Sequence, residues 1–188
     1  MRSLEEIVLT LCKFLNEHKI PYALIGGVTL SALGAPRTTH DVDLIVDLKE
    51  NEIAALVKFL KKKKFIADEK ELRIALRERS HFTIFDNLSP FRIDLKGIYS
   101  ARDLNILKKR IAVKYKKVRI WMWCAEDAIG YKLLSGSKQD IKDAKSILAR
   151  QYGKLDIAYL KNLCKRLGVE RKLMKIKREV EKVLEKRS

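Results

Sequence analysis

No apolar run in this 188-residue chain approaches the 18 residues of a bilayer span, and Met1-Arg2-Ser3-Leu4 leads straight into a charged amphipathic segment. Neither a membrane span nor a signal peptide is therefore expected, and the cytoplasm is the expected location. Cysteine is scarce as well. Cys12, Cys124 and Cys164 are odd in number, widely spread and set among apolar residues. That argues against a disulfide framework or a cysteine metal site and for buried free thiols. Internal repeats and low-complexity linkers are absent. Acid is in short supply: 24 Asp and Glu stand against 41 Lys and Arg, a net charge of +17. A charge-rich surface of the hyperthermophile kind explains many charges but not their imbalance, which favours polyanionic partners. With 47% hydrophobic residues the chain can bury a real core, as one domain or one domain with a small helical extension.

The most informative stretch is Tyr22 to Val46, YALIGGVTLSALGAPRTTHDVDLIV. An apolar strand ends in Gly26-Gly27, a helical stretch follows, and the polar turn Arg37-Thr38-Thr39-His40 delivers a second strand. There Val42, Leu44 and Val46 alternate with Asp41, Asp43 and Ile45, so both carboxylates share one face. Residues two apart on a strand have Cα atoms roughly 6 to 7 Å apart, close enough to grip common cations. Carboxylates with substrate phosphates are what Mg²⁺ prefers. Two glycines after a strand let backbone approach an anion at a helix N-terminus. Singly, a Gly-Gly reads as a tight turn and an Asp-x-Asp as a solvated face; their order is what points to phosphate and metal side by side.

Along the rest of the chain, Leu4, Ile7, Val8, Leu11 and Leu15 predict a helix from about Leu4 to His18, and Ile53, Leu56, Val57 and Leu60 a second that closes on Lys61 to Lys64. Phe65-Ile66-Ala67 predicts a short strand, and Glu69 to Arg79 a polar helix or an irregular segment. His81 to Phe85 and Phe91 to Lys96 predict strands joined through Asn87-Leu88-Ser89-Pro90. On the second of these Asp94 faces away from Ile93 and Leu95, and it also reads as a surface ion partner of Arg92 and Lys96. Residues 108–119 hold seven basic residues and no acid, with Lys116-Lys117 as a hairpin turn before a strand from Arg119 to Trp123. Tyr115, Trp121 and Trp123 interleave with that charge, as on surfaces that bind single-stranded nucleic acid, although the two tryptophans are equally readable as core. Ile129, Leu133 and Leu134, the break Ser135-Gly136-Ser137, then Ile141, Ala144, Ile147 and Leu148 predict a helical hairpin. From Gly153 onward there are 12 basic and 5 acidic residues. Leu155 to Leu167 reads as a helix stopped by Gly168. Val169, Leu173, Ile176, Val180 and Val183 then form an apolar stripe that would dock on the parent domain or on a second protomer, giving a homodimer through the C-terminal helix.

Ile25-Gly26-Gly27 followed by Asp41-Val42-Asp43 resembles the motif of the nucleotidyltransferase superfamily that includes the DNA polymerase beta palm, the CCA-adding enzymes and the kanamycin nucleotidyltransferases. Ala125 to Leu148 is similar to the segment after the palm in kanamycin-nucleotidyltransferase-like proteins and in abortive-infection toxin nucleotidyltransferases. Lys132 matches their lysine and Asp140 and Asp143 their acids, while Lys138-Gln139 departs from their arginines. The resemblance implies an α/β nucleotidyltransferase-type mixed sheet flanked by helices. A palm-like domain would span residues 1–123, and a helical C-terminal region, residues 124–188, would pack on it. It implies Asp41, Asp43 and Asp94 as catalytic residues and ligands of Mg²⁺, with Asp94 also accepting the attacking hydroxyl's proton. Lys132 becomes a catalytic cation, and Gly26, Gly27, Arg37, Thr39 and Asp140 nucleotide contacts. The expected reaction moves an NMP from an NTP to an acceptor hydroxyl. The charge favours RNA of a tRNA-like kind as acceptor. The alternatives are a small-molecule, antibiotic-type enzyme, or a catalytically inactive binding module or antitoxin-like partner as in toxin-antitoxin systems.

Overall fold

The computed structural model describes residues 1–36 and 38–185, which form two compact units, Met1–Val28 with Thr38–Trp123 and Thr29–Arg37 with Cys124–Ser188. Thr29–Arg37, expected within the first unit, belongs to the second. The reason is local: Leu30 and Leu33 are buried, and Gln151 Nε2 donates to the Leu33 carbonyl at 3.0 Å.

The first unit is built on a seven-stranded mixed sheet. Its strands are β1 (Tyr22–Ile25), β2 (Asp41–Val46), β3 (Phe65–Ile66), β4 (His81–Asp86), β5 (Arg92–Lys96), β6 (Ile111–Tyr115) and β7 (Val118–Met122), in the spatial order β3-β4-β5-β2-β1-β7-β6. β2 runs antiparallel to β1 and parallel to β5. The alternation in β2 fixes which face is which, because a one-residue slip would expose Val42, Leu44 and Val46, all now buried, and bury two carboxylates. Burying each of those apolar side chains contributes about 1.5 to 3 kcal/mol.

Helix α1 (Leu4–Glu17) starts at a capping box in which Ser3 and Glu6 satisfy each other's backbone amides, and ends on His18 as its cap. α2 (Gly26–Leu33) follows β1 directly. α3 (Ile53–Lys62) buries the four apolar residues that announced it. The polar segment after β3 is regular helix, α4 (Glu69–Arg77), because Asp68 accepts from the Lys70 and Glu71 amides at its start. α5 (Ala101–Lys109), which no periodicity announced, is likewise begun by a side chain: Ser100 accepts from the Asp103 amide.

The second unit holds α6 (Ala125–Ser135), α7 (Lys138–Arg150), α8 (Ile157–Arg166) and α9 (Glu170–Glu185). Val169 and the α9 residues Leu173, Ile176 and Val180 are buried, and α9 packs on α6, α7 and α8, so the C-terminal stripe is covered by its own neighbours except at Val183. The three cysteines are buried and free. Burial pushes the Cys12 thiol up to about 12 and the Cys164 thiol to about 11, which leaves them inert as nucleophiles. Among the described residues no helix is long and apolar enough to cross a membrane.

Candidate active site

The sheet register assembles a polar row from three strands. Asp43 lies opposite Asp94 across β2 and β5, and Asp94 lies opposite Thr83 across β5 and β4. Residues directly opposite share a face, so Asp43, Asp94 and Thr83 stand side by side, and Asp41 pairs with Arg92 in the next row. Thr83 Oγ1 donates to Asp94 Oδ1 at 2.6 Å, which orients that carboxylate and leaves Oδ2 turned to other partners. Arg92 Nη2 donates to Asp41 Oδ2 at 3.0 Å and its Nε to Asp94 Oδ2 at 3.4 Å. The Arg92 amide bonds the His40 carbonyl at 3.2 Å, which holds the starts of β2 and β5 together.

Gly26 and Gly27 make the row's edge. Gly26 has φ +67°, and a Cβ there would sit 2.0 Å from Asp43 Oδ2; a Cβ on Gly27 would sit 2.7 Å from Thr39 Cβ and Oγ1. The first position therefore demands glycine twice over, by conformation and by the carboxylate that presses on it. Thr39 in turn reaches the backbone of Asp41 at 3.4 Å. Four of the expected residues, Gly26, Gly27, Thr39 and Asp43, are thus mutually fitted, and Asp41 and Asp94 join them through the register. Arg37 lies outside the described residues.

Whether these residues suit a hard divalent cation is decided by their donors. All are carboxylate oxygens, and Asp41 Oδ1 is buried with no hydrogen-bond partner among the described residues, an expensive state for a carboxylate oxygen unless something binds it. The donor chemistry fits Mg²⁺. Among the described residues, however, no three His, Cys, Asp or Glu side chains are gathered closely enough to hold a metal ion. Arg92 is bonded to two of the three acids instead.

Below this row the same face is closed. Ile45 is buried beside Lys96, and Lys96 Nζ donates to the buried Asp103 of α5 at 2.8 Å, not to Asp94 as its sequence position suggested. Burial disfavours the Asp103 charge, but bonds from Lys96, Ser100 and the Tyr99 amide outweigh it and hold the carboxyl below its usual range.

In the second unit, Lys132 of α6 is gripped by two acids of α7, Asp140 Oδ1 at 2.5 Å and Asp143 Oδ2 at 3.4 Å. Asp140 also accepts from Ser135 and Ser137 at 2.7 and 2.6 Å, while Ser137 caps α7 by accepting from the Asp140 amide. The break Ser135-Gly136-Ser137 is therefore what ties both serines to Asp140. Burial raises the cost of the Asp140 charge, yet the Lys132 and serine bonds prevail and hold its carboxyl well below the ordinary range.

The basic hairpin β6–β7 divides its aromatics. Trp123 is core, whereas Trp121 is half-buried with the guanidinium of Arg110 4.8 Å and that of Arg119 5.9 Å from its ring centroid. Asn16, Lys19, Arg110, Arg119 and Trp121 line part of a cavity of about 480 Å³. Lys116 is not free for a ligand; it is paired with Glu5.

Sequence reasoning missed Thr83 and gave Arg92 only as an ion partner. Period-two alternation could have put both on the carboxylate face, but their bonds needed the strand pairing.

Residues 2–186 match the family described as nucleotidyltransferase of unknown function (DUF6036). No curated protein matches the chain. Among solved structures, an antigenic nucleotidyltransferase-like protein from Paracoccidioides brasiliensis superposes with a TM-score of 0.57 at 19% identity, over 91% of this chain and 92% of that one. The lincosamide antibiotic adenylyltransferase LnuA, in its lincomycin-bound form, gives 0.51 at 16% identity over 77% and 96%. ANT(2")-Ia in complex with adenylyl-2"-tobramycin gives 0.52 at 10% identity over 86% and 94%. At these identities the likeness concerns the fold, and it is the family match over nearly the whole chain that makes this chain a member of the DUF6036 nucleotidyltransferase family.

Proposed function

We propose that this protein transfers a nucleoside monophosphate from an NTP to an acceptor hydroxyl in a Mg²⁺-dependent reaction. The observation that carries the reading is the Asp43–Asp94 register pair, with Gly26 pressed on Asp43 and, beside it, the buried Oδ1 of Asp41, which has no partner among the described residues. Asp41, Asp43 and Asp94 would hold Mg²⁺, which when bound neutralises charge on the attacking and leaving oxygens. Asp94, fixed through Oδ1 by Thr83, takes the acceptor's proton on Oδ2. The acceptor oxygen bonds the α-phosphorus as the bond to the bridging oxygen breaks, and that electron pair leaves with pyrophosphate. Gly26 and Gly27 would let backbone approach the triphosphate closely, with Thr39 beside Gly27 as a further contact; by resemblance alone, Arg37 and Lys132 are its cations. Positioning and charge carry most of such a rate.

RNA is the acceptor the charge favours. The net +17 is accompanied by a hairpin segment with seven basic residues and by the cavity of Lys19, Arg110, Arg119 and Trp121, where a base can stack and phosphates find cations. A second reading, an antibiotic-like small-molecule acceptor, draws on the fold shared with LnuA and ANT(2")-Ia. A cationic acceptor suits this charge poorly. The deciding experiment incubates the protein with each α-labelled NTP, Mg²⁺ and either total RNA, including tRNA, or a small-molecule pool. Label on RNA supports the first reading, label on a small molecule the second, and no label with any NTP contradicts transfer.

A further inference from the structure

The row of acids carries its own cation. Arg92 stands opposite Asp41 in the β2–β5 register and two residues before Asp94 on the same strand face, so its side chain is confined between two of the three proposed metal ligands. Its guanidinium bonds both of them, at 3.0 and 3.4 Å, and it does so while remaining 45% exposed. Asp41 spends one oxygen on this pair and keeps the other buried, with no hydrogen-bond partner among the described residues. The three carboxylates accordingly form no ready-made metal cage among the described residues.

We propose that Arg92 is the resident counter-ion of the active-site row, a positioning residue that competes with divalent metal for Asp41 and Asp94 and yields them when the metal arrives with a nucleotide. The inference rests on the reading of the row as a metal site. Its physical basis is an exchange of partners. A bare divalent ion must break two ion pairs and leave a guanidinium, which cannot deprotonate, without an acceptor among the acids. A metal-nucleotide complex brings phosphate oxygens, the acceptors a guanidinium fork matches best. Because the pair is half-exposed it is weak enough to be displaced, whereas a buried one would not be. The consequence is ordered occupancy: little metal binds the free protein, and the nucleotide that needs the metal is also what admits it.

The test is calorimetric titration of Mn²⁺ and Mg²⁺ into the nucleotide-free protein, with folding checked by circular dichroism. Arg92→Gln should tighten metal binding roughly tenfold, the scale of losing two part-exposed ion pairs. Arg92→Lys keeps the charge but not the fork, and should fall between wild type and Arg92→Gln. With a non-hydrolysable NTP present the order should reverse, Arg92→Gln binding the metal-nucleotide complex more weakly than wild type. Asp43→Asn should lose metal binding in every background. If Asp43→Asn binds metal as wild type does, the metal reading of the row is wrong. If Asp43→Asn loses the metal but Arg92→Gln binds it no more tightly than wild type, the counter-ion role is wrong and the metal reading stands. An Arg92→Lys protein identical to wild type beside a tighter Arg92→Gln protein would also overturn the proposal, since net charge alone would then account for the effect.

Discussion

Arg92 and Lys132 are each held by a pair of aspartates, yet the two arrangements differ in every property that decides whether a charge can be moved. Arg92 is 45% exposed and bonds one acid opposite it on β2 and another two residues further along its own strand, at 3.0 and 3.4 Å. Lys132 is 14% exposed, between acids that are 14% and 4% exposed, and one of those acids is further tied down by two serines. An exposed pair is worth little and exchanges readily, whereas removing one partner of a buried pair leaves a charge stranded. The strand face is therefore suited to changing partners, and the α6–α7 hairpin to keeping them.

The sharpest way to break the comparison acts on neither cation. Gly26→Ala should put a methyl group against Asp43 in a backbone conformation that side chains resist, and transfer should fall by about 10²-fold or more, as when a reacting group is misplaced by an ångström. Steady-state transfer with folding checked by circular dichroism measures it; wild-type transfer would mean that the Gly26–Asp43 contact has no bearing on chemistry.

Lys132→Ala comes next. It should cost about 1 to 3 kcal/mol of stability by stranding Asp140 and Asp143, and lower transfer by about 10²-fold. Arg92→Gln should cost under about 1 kcal/mol in the same denaturant melt. A stability loss for Lys132→Ala with transfer intact would make that lysine scaffold only, and equal losses for both variants would erase the contrast.

Charge reversal at Lys114 and Lys117, which are exposed, should weaken RNA binding by roughly tenfold at low salt and flatten its salt dependence. The wild-type slope should be near −0.7 per contacted phosphate. Lys116 is a poorer choice because it already answers Glu5. A flat salt dependence in the wild-type protein would assign the excess charge to the surface alone.

The smallest effect concerns pH. Asp140 and Asp103 have depressed carboxyl values in the folded state, so their contribution is complete above the unfolded value of about 4 and is lost as pH falls through the folded values. Denaturant melts from pH 5 downward should show stability dropping, with a shallower drop in Asp140→Asn; an identical profile would show that Asp140 carries none of it.

The strand row of the first unit was legible in the sequence and the α6–α7 cluster of the second unit much less so, for a physical reason. On a strand the period of two assigns each residue to a face, so Asp41, Asp43 and Asp94 could be placed before their neighbours were known. Thr83 and Arg92 carried the same signal, but their bonds depend on register, which short strands do not spell out. Lys132 lies eight residues from Asp140, and their meeting depends on the turn at Gly136 and the capping by Ser137. Lys96 misled for the same reason, because its true partner, Asp103, sits on a helix that begins from a side-chain cap instead of from any hydrophobic period.

The account turns on Asp43, whose register partner is Asp94 and whose carboxylate touches the space that Gly26 leaves open. The most direct measurement is transfer from an α-labelled NTP with Mg²⁺ and RNA by wild-type and Asp43→Asn proteins of matched folding. The account predicts labelled acceptor with wild type and less than about a tenth as much with the variant, given that a lost metal ligand removes charge stabilisation worth at least that factor. A correctly folded Asp43→Asn protein that transfers label as wild type does would contradict it.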